Sequence, residues 1–124
     1  MKSDSINSLR VRPAGARMKR LASVIGMPAE NREEYERLHA AVWPAVLERL
    51  TLSNIRNYSI YRHGEVLFAY MEYVGDDFEA DMAAIAADPA TQEWWSVCEP
   101  LQRPFPDRAA GEWWMEIPEI FHLD

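Results

Sequence analysis

Residues 57–74 have the sequence NYSIYRHGEVLFAYMEYV, and this stretch determines the predicted fold. Its two halves, residues 57–62 and 66–74, are rich in aromatic and β-branched side chains, which are typical of strands. A short polar segment that contains Gly64 separates them and is typical of a turn. The stretch therefore predicts a β-hairpin in the middle of the chain.

The residues before the hairpin predict a strand followed by a helix. Residues 18–26 alternate apolar with polar or small side chains, which favours a half-buried strand. Asn31 and Glu34 have the spacing of a capping box, so a helix is expected to begin there. Pro44 is expected to kink or divide it, because proline has no amide N–H. The apolar face of this helix is formed by Tyr35, Leu38, Val42, Val46 and Leu50.

The residues after the hairpin predict a second helical element and a last strand. Residues 78–87 favour a helix, and Pro89 interrupts it before a second helical piece over residues 89–98. Residues 114–123 alternate again, with Pro118 favouring a sheet edge or a bulge. The order β-α-β-β-α-β predicts an α+β, ferredoxin-like fold with an antiparallel sheet and both helical elements on one face. The other face would need cover, from a second subunit or around a ligand.

Length and composition predict one domain. A chain of 124 residues is the size of a single domain, which is expected over residues 18–124, with residues 1–17 a disordered extension or the product of an upstream start codon. No apolar run approaches the roughly 20 residues of a membrane span, and residues 1–17 lack the apolar centre of a secretory signal. The single cysteine, Cys98, cannot form an intrachain disulfide. A cytoplasmic protein without membrane attachment is expected.

The charge distribution argues against a nucleic-acid partner. Residues 21–124 carry 7 basic against 19 acidic groups, a net charge of −12 with histidine neutral. Nucleic-acid affinity comes largely from Lys and Arg side chains that neutralise phosphates. A nucleic-acid function is therefore not expected, and an anionic substrate would need a local exception to this balance.

Two groups of side chains could carry chemistry. Tyr35 and His39 stand four apart on the first predicted helix and so share one face. Imidazole can both give and take a proton near neutral pH, although a histidine at the edge of the core would satisfy the same spacing. Trp94 and Trp95 are adjacent on a helix, so both cannot face the core. One is expected to line a cavity or an interface, where an indole can pack on the C–H face of a sugar.

The remaining tyrosines and histidines give weaker evidence of a functional site. Tyr58 and Tyr61 lie three apart on a strand and are expected to face opposite sides of the sheet. His63 and His122 have no neighbour at metal-ligand spacing, so no metal site is predicted.

The chain resembles the L-rhamnose mutarotase family from about residue 18 to its end. The motifs that carry the resemblance are Y-x-x-x-H, W-P, N-Y-x-I-Y, W-W and a terminal E-I-F-H-L, here Tyr35 to His39, Trp43-Pro44, Asn57 to Tyr61, Trp94-Trp95 and Glu119 to Leu123. Each motif alone is weak, but their combination and order are fairly specific. Residues 103–113 depart from the Asn-Pro-Asp-Asn-Ser-Pro segment of some members.

The resemblance implies a dimeric α/β barrel that interconverts the α and β anomers of L-rhamnose without a cofactor. It implies that His39 is the proton-donating catalytic residue and that Tyr35, Tyr58, Trp94 and Trp95 contact the sugar, with the role of Tyr61 open. Three alternatives remain from the sequence: a mutarotase for L-fucose or another 6-deoxyhexose, a haem-binding monooxygenase of the same barrel type, and a non-catalytic ligand-binding module.

Overall fold

A four-stranded antiparallel sheet organises residues 18–124, the part of the chain that this computed structural model describes. The expected extension, residues 1–17, lies outside the described residues. The strands are β1 (Lys19–Gly26), β2 (Ile55–His63), β3 (Val66–Tyr73) and β4 (Met115–Ile117). The helices are α1 (Arg32–His39), α2 (Pro44–Leu52), α3 (Phe78–Ala87) and α4 (Pro89–Cys98), and short 3₁₀ turns span Ala29–Asn31 and Glu99–Leu101.

The strand order β2-β3-β1-β4 is that of the ferredoxin-like unit, so the predicted α+β class is confirmed. Neighbouring strands pair antiparallel along the whole sheet. The β2–β3 hairpin contains one irregularity, where the register shifts between Arg56 and Ser59 and Asn57 adopts φ of 50°. Asparagine tolerates this left-handed conformation better than most residues, and such a bulge re-aims the side chains around it.

Both predicted helix breaks are present. Pro44 is the first residue of α2, a position where its missing N–H costs nothing, and α1 has already ended at His39. Pro89 likewise begins α4. Asp88 caps that helix, because its Oδ2 accepts from the Thr91 amide at 2.9 Å.

Two local predictions are wrong. The Asn31 side chain makes no capping bond; its Nδ2 donates to the Leu101 carbonyl at 3.1 Å, and Glu34 pairs with Arg37 and does not reach back. The last strand is also much shorter than residues 114–123, because only Met115–Ile117 pairs with β1 before Pro118, which has no N–H to donate.

The core lies between the helices and one face of the sheet. Its larger cluster joins β1, β3, α1, α2 and α4 around the side chains of Ile25, Met27, Tyr35, Val46, Leu67, Trp94 and Cys98. A smaller cluster under α3 contains Ile55, Tyr73 and Ile85. Burial of this apolar surface is what holds the helices to the sheet.

Within residues 18–124, no helix covers the opposite sheet face, here called the open face. A row of paired residues crosses it from Met115 through Val24 and Phe68 to Tyr61. Phe68 is 40% and Tyr61 66% exposed. The chain leaves β4 beside this face and ends in three strongly exposed apolar side chains, Ile120, Phe121 and Leu123.

Candidate active site

Tyr35 and His39 meet on the inner side of α1. Their ring centroids lie 4.2 Å apart with an interplanar angle of 20°, so the rings stack. Tyr35 is buried in the core cluster and His39 is partly buried at its edge. The expected shared face is therefore present, and it brings a phenol and an imidazole into one small volume.

The backbone of α1 fixes the tautomer of His39. Nδ1 of His39 lies 2.9 Å from the Tyr35 carbonyl oxygen, which can only accept, so the neutral ring carries its hydrogen on Nδ1. Nε2 is then the basic nitrogen. Burial lowers the pKa of His39, and the bond to the Tyr35 carbonyl opposes this only in part. At neutral pH His39 is an uncharged group that can accept a proton at Nε2.

The adjacent tryptophans of α4 differ in burial. Trp94 is 6% exposed and packs edge-on against His39, with centroids 5.2 Å apart, and against Trp43 at 5.1 Å. Trp95 is 38% exposed. Both indoles line the cavities beside His39, which agrees with the expectation that they cannot both be core residues.

The two tyrosines of β2 face opposite sides of the sheet, as expected. Tyr58 lies on the helix side and lines the same cavities as His39. Desolvation raises the pKa of its phenol, and the nearby Cys98 thiol adds to the effect. Tyr61 lies on the open face opposite Phe68, away from this site.

Two residues that sequence reasoning did not select complete the site. Gln102 Nε2 donates to the Tyr35 hydroxyl oxygen at 3.0 Å, and Gln102 Oε1 accepts from the Trp113 indole N–H at 2.7 Å. The backbone on both sides of Gln102 is held, because Asn31 binds the Leu101 carbonyl and Arg103 exchanges two backbone hydrogen bonds with Gly26 at 2.7 and 2.9 Å.

These side chains surround a cleft made of two adjoining cavities. The cavity here called polar, about 270 Å³, is lined by Tyr35, Gln102 and Trp113. The cavity here called apolar, about 430 Å³, extends under α2 along Val46, Leu50 and Met71. The residues that border both are His39, Tyr58, Ile60, Trp94 and Trp95. Ligand sites commonly have volumes of about 300 to 1,000 Å³, so the cleft has room for a small molecule.

The cleft is nearly free of charge at neutral pH. Within residues 18–124 its lining contains no lysine or arginine, and Glu99 is its one carboxylate. Burial raises the pKa of Tyr35, against the hydrogen bond from Gln102, and raises the pKa of Cys98 to about 11, so both remain protonated. A protonated thiol is a poor nucleophile. Such a lining suits an uncharged polar ligand and proton transfer.

Residues 18–124 contain no group of three or more His, Cys, Asp or Glu side chains placed to hold a metal ion. Over the same range, the helices all lack the length and apolar character needed to cross a bilayer.

The fold and the cleft define a small α+β domain of the ferredoxin-like class. A crystal structure of an L-rhamnose mutarotase from Formosa agariphila matches with a TM-score of 0.67 and 21% identity, over 86% of this chain and 99% of that one. Tetracenomycin F2 cyclase from Streptomyces glaucescens matches with a TM-score of 0.63 and 14% identity, over 86% and 97%. At these identities the two likenesses show the fold alone.

The sequence comparisons are more specific. The L-rhamnose mutarotase family matches residues 20–123. The L-rhamnose mutarotase of Phocaeicola vulgatus is 32% identical over 109 residues, which cover 86% of this chain and all of that protein. This chain belongs to the L-rhamnose mutarotase family.

Proposed function

We propose that this protein interconverts the α and β anomers of L-rhamnose, with the cleft beside α1 as its active site. Family membership supports the reaction and the sugar. The arrangement of His39 supports the assignment to particular residues. Its Nδ1–H donates to the Tyr35 carbonyl, which leaves a neutral, basic Nε2 on a residue that lines a cleft without lysine or arginine.

The reaction requires one proton to move between two oxygens on the same carbon. When the ring opens, the bond between C1 and the ring oxygen breaks, the C1 hydroxyl loses its proton and becomes the aldehyde oxygen, and the ring oxygen gains a proton. We assign the transfer to His39, whose Nε2 takes the proton from the C1 hydroxyl and donates it to the ring oxygen. Rotation about the C1–C2 bond and the reverse transfer then give the other anomer. Positioned acid–base transfer of this kind contributes typically about 10² to 10⁴-fold.

The other residues of the cleft hold the sugar. Tyr35 stays protonated because burial raises its pKa, so its hydroxyl can donate to the ring oxygen as negative charge develops there. Trp94, Trp95 and Tyr58 offer aromatic surface and polar edges around the same space. The adjoining apolar cavity offers a place for the methyl group of a 6-deoxy sugar.

Exchange between anomeric protons tests this function directly. Saturation-transfer NMR on equilibrated L-rhamnose is expected to show faster α–β exchange with the protein than with the heat-denatured protein, and faster exchange for L-rhamnose than for L-fucose. If only the exchange of L-fucose is accelerated, L-fucose replaces L-rhamnose as the proposed substrate. If the exchange of neither sugar is accelerated, the proposed activity is contradicted. The family match does not favour the haem-binding or non-catalytic alternatives.

We also propose a homodimer formed through the open face. Tyr61, Phe68 and the terminal apolar side chains are exposed there, and contiguous exposed apolar surface commonly marks an interaction site. Phe68→Lys is expected to give a monomer by light scattering. Ala83→Lys, an exposed change on α3, is the matched control and should leave the mass unchanged. A monomeric unsubstituted protein, or a dimeric Phe68→Lys protein, would contradict the interface.

We also propose a cytoplasmic location, which a lone cysteine with a free, buried thiol supports. Cell fractionation is expected to recover the protein with cytoplasmic markers, and recovery in an extracytoplasmic fraction would contradict it.

A further inference from the structure

The hydrogen-bond chain from Trp113 through Gln102 to Tyr35 reaches the cleft from a loop that is distant in sequence. Trp113 Nε1 donates to Gln102 Oε1 at 2.7 Å, and Gln102 Nε2 donates to the Tyr35 hydroxyl oxygen at 3.0 Å. Gln102 is 67 residues from Tyr35 in the sequence. Both Gln102 and Trp113 line the polar cavity.

The direction of each hydrogen bond in this chain is fixed by chemistry. An indole N–H can only donate, so the Gln102 atom that faces Trp113 must be the carbonyl oxygen. The other end of the same planar amide is then the NH₂ group, which can only donate, and it faces Tyr35. The Tyr35 oxygen must therefore act as acceptor in this bond. Its own proton has to point elsewhere.

Few other acceptors compete for the Tyr35 proton. Within residues 18–124 the Tyr35 hydroxyl has no hydrogen-bond partner besides Gln102, and it borders the polar cavity. The phenol is held in place by the core around it, with 3% of the residue exposed. The proton is thus available to whatever occupies the cavity.

We propose that Gln102 is a positioning residue that keeps the Tyr35 hydroxyl oriented as a hydrogen-bond donor toward the sugar, and that Trp113 fixes the amide orientation on which this depends. The inference rests on the proposed mutarotase function and deepens it. Gln102 does not itself exchange a proton. It acts by occupying the acceptor side of the phenol, so that the donor side faces the substrate.

The backbone around Gln102 is anchored on both sides, which supports a fixed position for its side chain. Asn31 Nδ2 holds the Leu101 carbonyl, and the paired backbone bonds between Gly26 and Arg103 hold the next residue. A side chain at Gly26 would place its Cβ 2.6 Å from the Arg103 carbonyl oxygen, so glycine permits this close approach. Gln102 is therefore fixed at the backbone on both sides, as a positioning residue needs to be.

Gln102→Glu is the variant that reverses the proposed orientation with the least change in shape. An ionised carboxylate can still accept from the Trp113 indole, but its second oxygen must also accept, so the Tyr35 hydroxyl would donate to it. The phenol proton would then point away from the sugar. We expect kcat to fall at least about tenfold, since removal of one donor to a developing oxyanion typically costs about 10² to 10³-fold, while KM changes less.

Two readouts separate positioning from a general structural role. The rate of Gln102→Glu relative to the unsubstituted protein should rise as pH falls, because the protonated carboxyl can donate to Tyr35 as the amide does. In a Tyr35→Phe background, Gln102→Glu should cost little further activity, because the group through which it acts is gone. Gln92→Glu makes the same charge change on the exposed side of α4 and should leave the rate unchanged.

The closing experiment is anomeric exchange by saturation-transfer NMR on L-rhamnose with the five proteins: unsubstituted, Gln102→Glu, Tyr35→Phe, the double variant and Gln92→Glu, each first shown to be folded by circular dichroism. A loss in Gln102→Glu that lessens at low pH and disappears in the Tyr35→Phe background supports the inference. An active unsubstituted protein with full activity in Gln102→Glu, or an equal loss in both backgrounds, overturns the inference and leaves the function standing. An inactive unsubstituted protein overturns the function and the inference with it.

Discussion

The adjacent indoles of α4 should respond very differently to the same substitution. Trp94 is 6% exposed and contacts both His39 and Trp43, whereas Trp95 is 38% exposed and faces the cleft. Truncation of a buried tryptophan to alanine typically costs about 3 to 5 kcal/mol. For a domain of this size, Trp94→Ala should lower the melting temperature by more than about 10 °C.

For Trp95→Ala the expected loss is in sugar binding. With 38% of the residue exposed, and an aromatic side chain on the order of 250 Å² in all, roughly 100 Å² of surface is available to a ligand. If a sugar covers half of it, about 50 Å² at about 25 cal/mol per Å² gives about 1.2 kcal/mol. KM should then rise about sevenfold with kcat nearly unchanged.

Thermal melting and saturation-transfer kinetics over a range of L-rhamnose concentrations measure both effects. Trp95→Phe is the matched control, because it keeps an aromatic face and should restore most of the affinity. A Trp95→Ala protein that melts as low as Trp94→Ala, or that loses activity through kcat with KM unaltered, would contradict these separate roles.

Two predictions concern pH. Because the fold lowers the pKa of His39, exchange activity should hold from pH 7.5 to about 6.5 and fall only below that. The free energy of unfolding should also begin to fall below about pH 6.5, because the unfolded chain there binds a proton that the native chain does not. His39→Gln should remove this dependence of stability on pH. Titration of Cys98 changes stability in the opposite direction. Burial raises the pKa of its thiol from 9.0 to about 11, so the free energy of unfolding should fall as pH rises between these values, by up to about 2 to 3 kcal/mol. Denaturant titrations of Cys98→Ala should show a flatter decline from pH 8.5 to 10, and an unchanged decline would contradict this burial of the thiol.

Local sequence patterns predicted the elements because each depends on near neighbours. The helical spacing of Tyr35 and His39 predicted their shared face, and Pro44 and Pro89 predicted the two helix breaks. The adjacent positions of Trp94 and Trp95 on one helix also predicted that both could not be core residues, and Trp95 is partly exposed where it lines a cavity.

Features that depend on tertiary partners could not be predicted. Asn31 had a capping partner at the correct spacing, but its amide binds the distant Leu101 carbonyl. Gln102 and Trp113 lie in irregular backbone without periodicity, so no local pattern relates them to Tyr35. The end of β4 depended on how far β1 continues to pair before Pro118.

His39 provides the most direct test of the proposed mutarotation, because that reaction depends on the neutral Nε2 of this residue. The measurement is anomeric exchange of L-rhamnose by saturation-transfer NMR for the unsubstituted protein, His39→Ala and His63→Ala, the last an exposed histidine at the end of β2 that serves as control. We expect His39→Ala to lose about 10² to 10⁴-fold in rate while remaining folded, and His63→Ala to keep full activity. A folded His39→Ala protein that exchanges the anomers as fast as the unsubstituted protein would contradict the account.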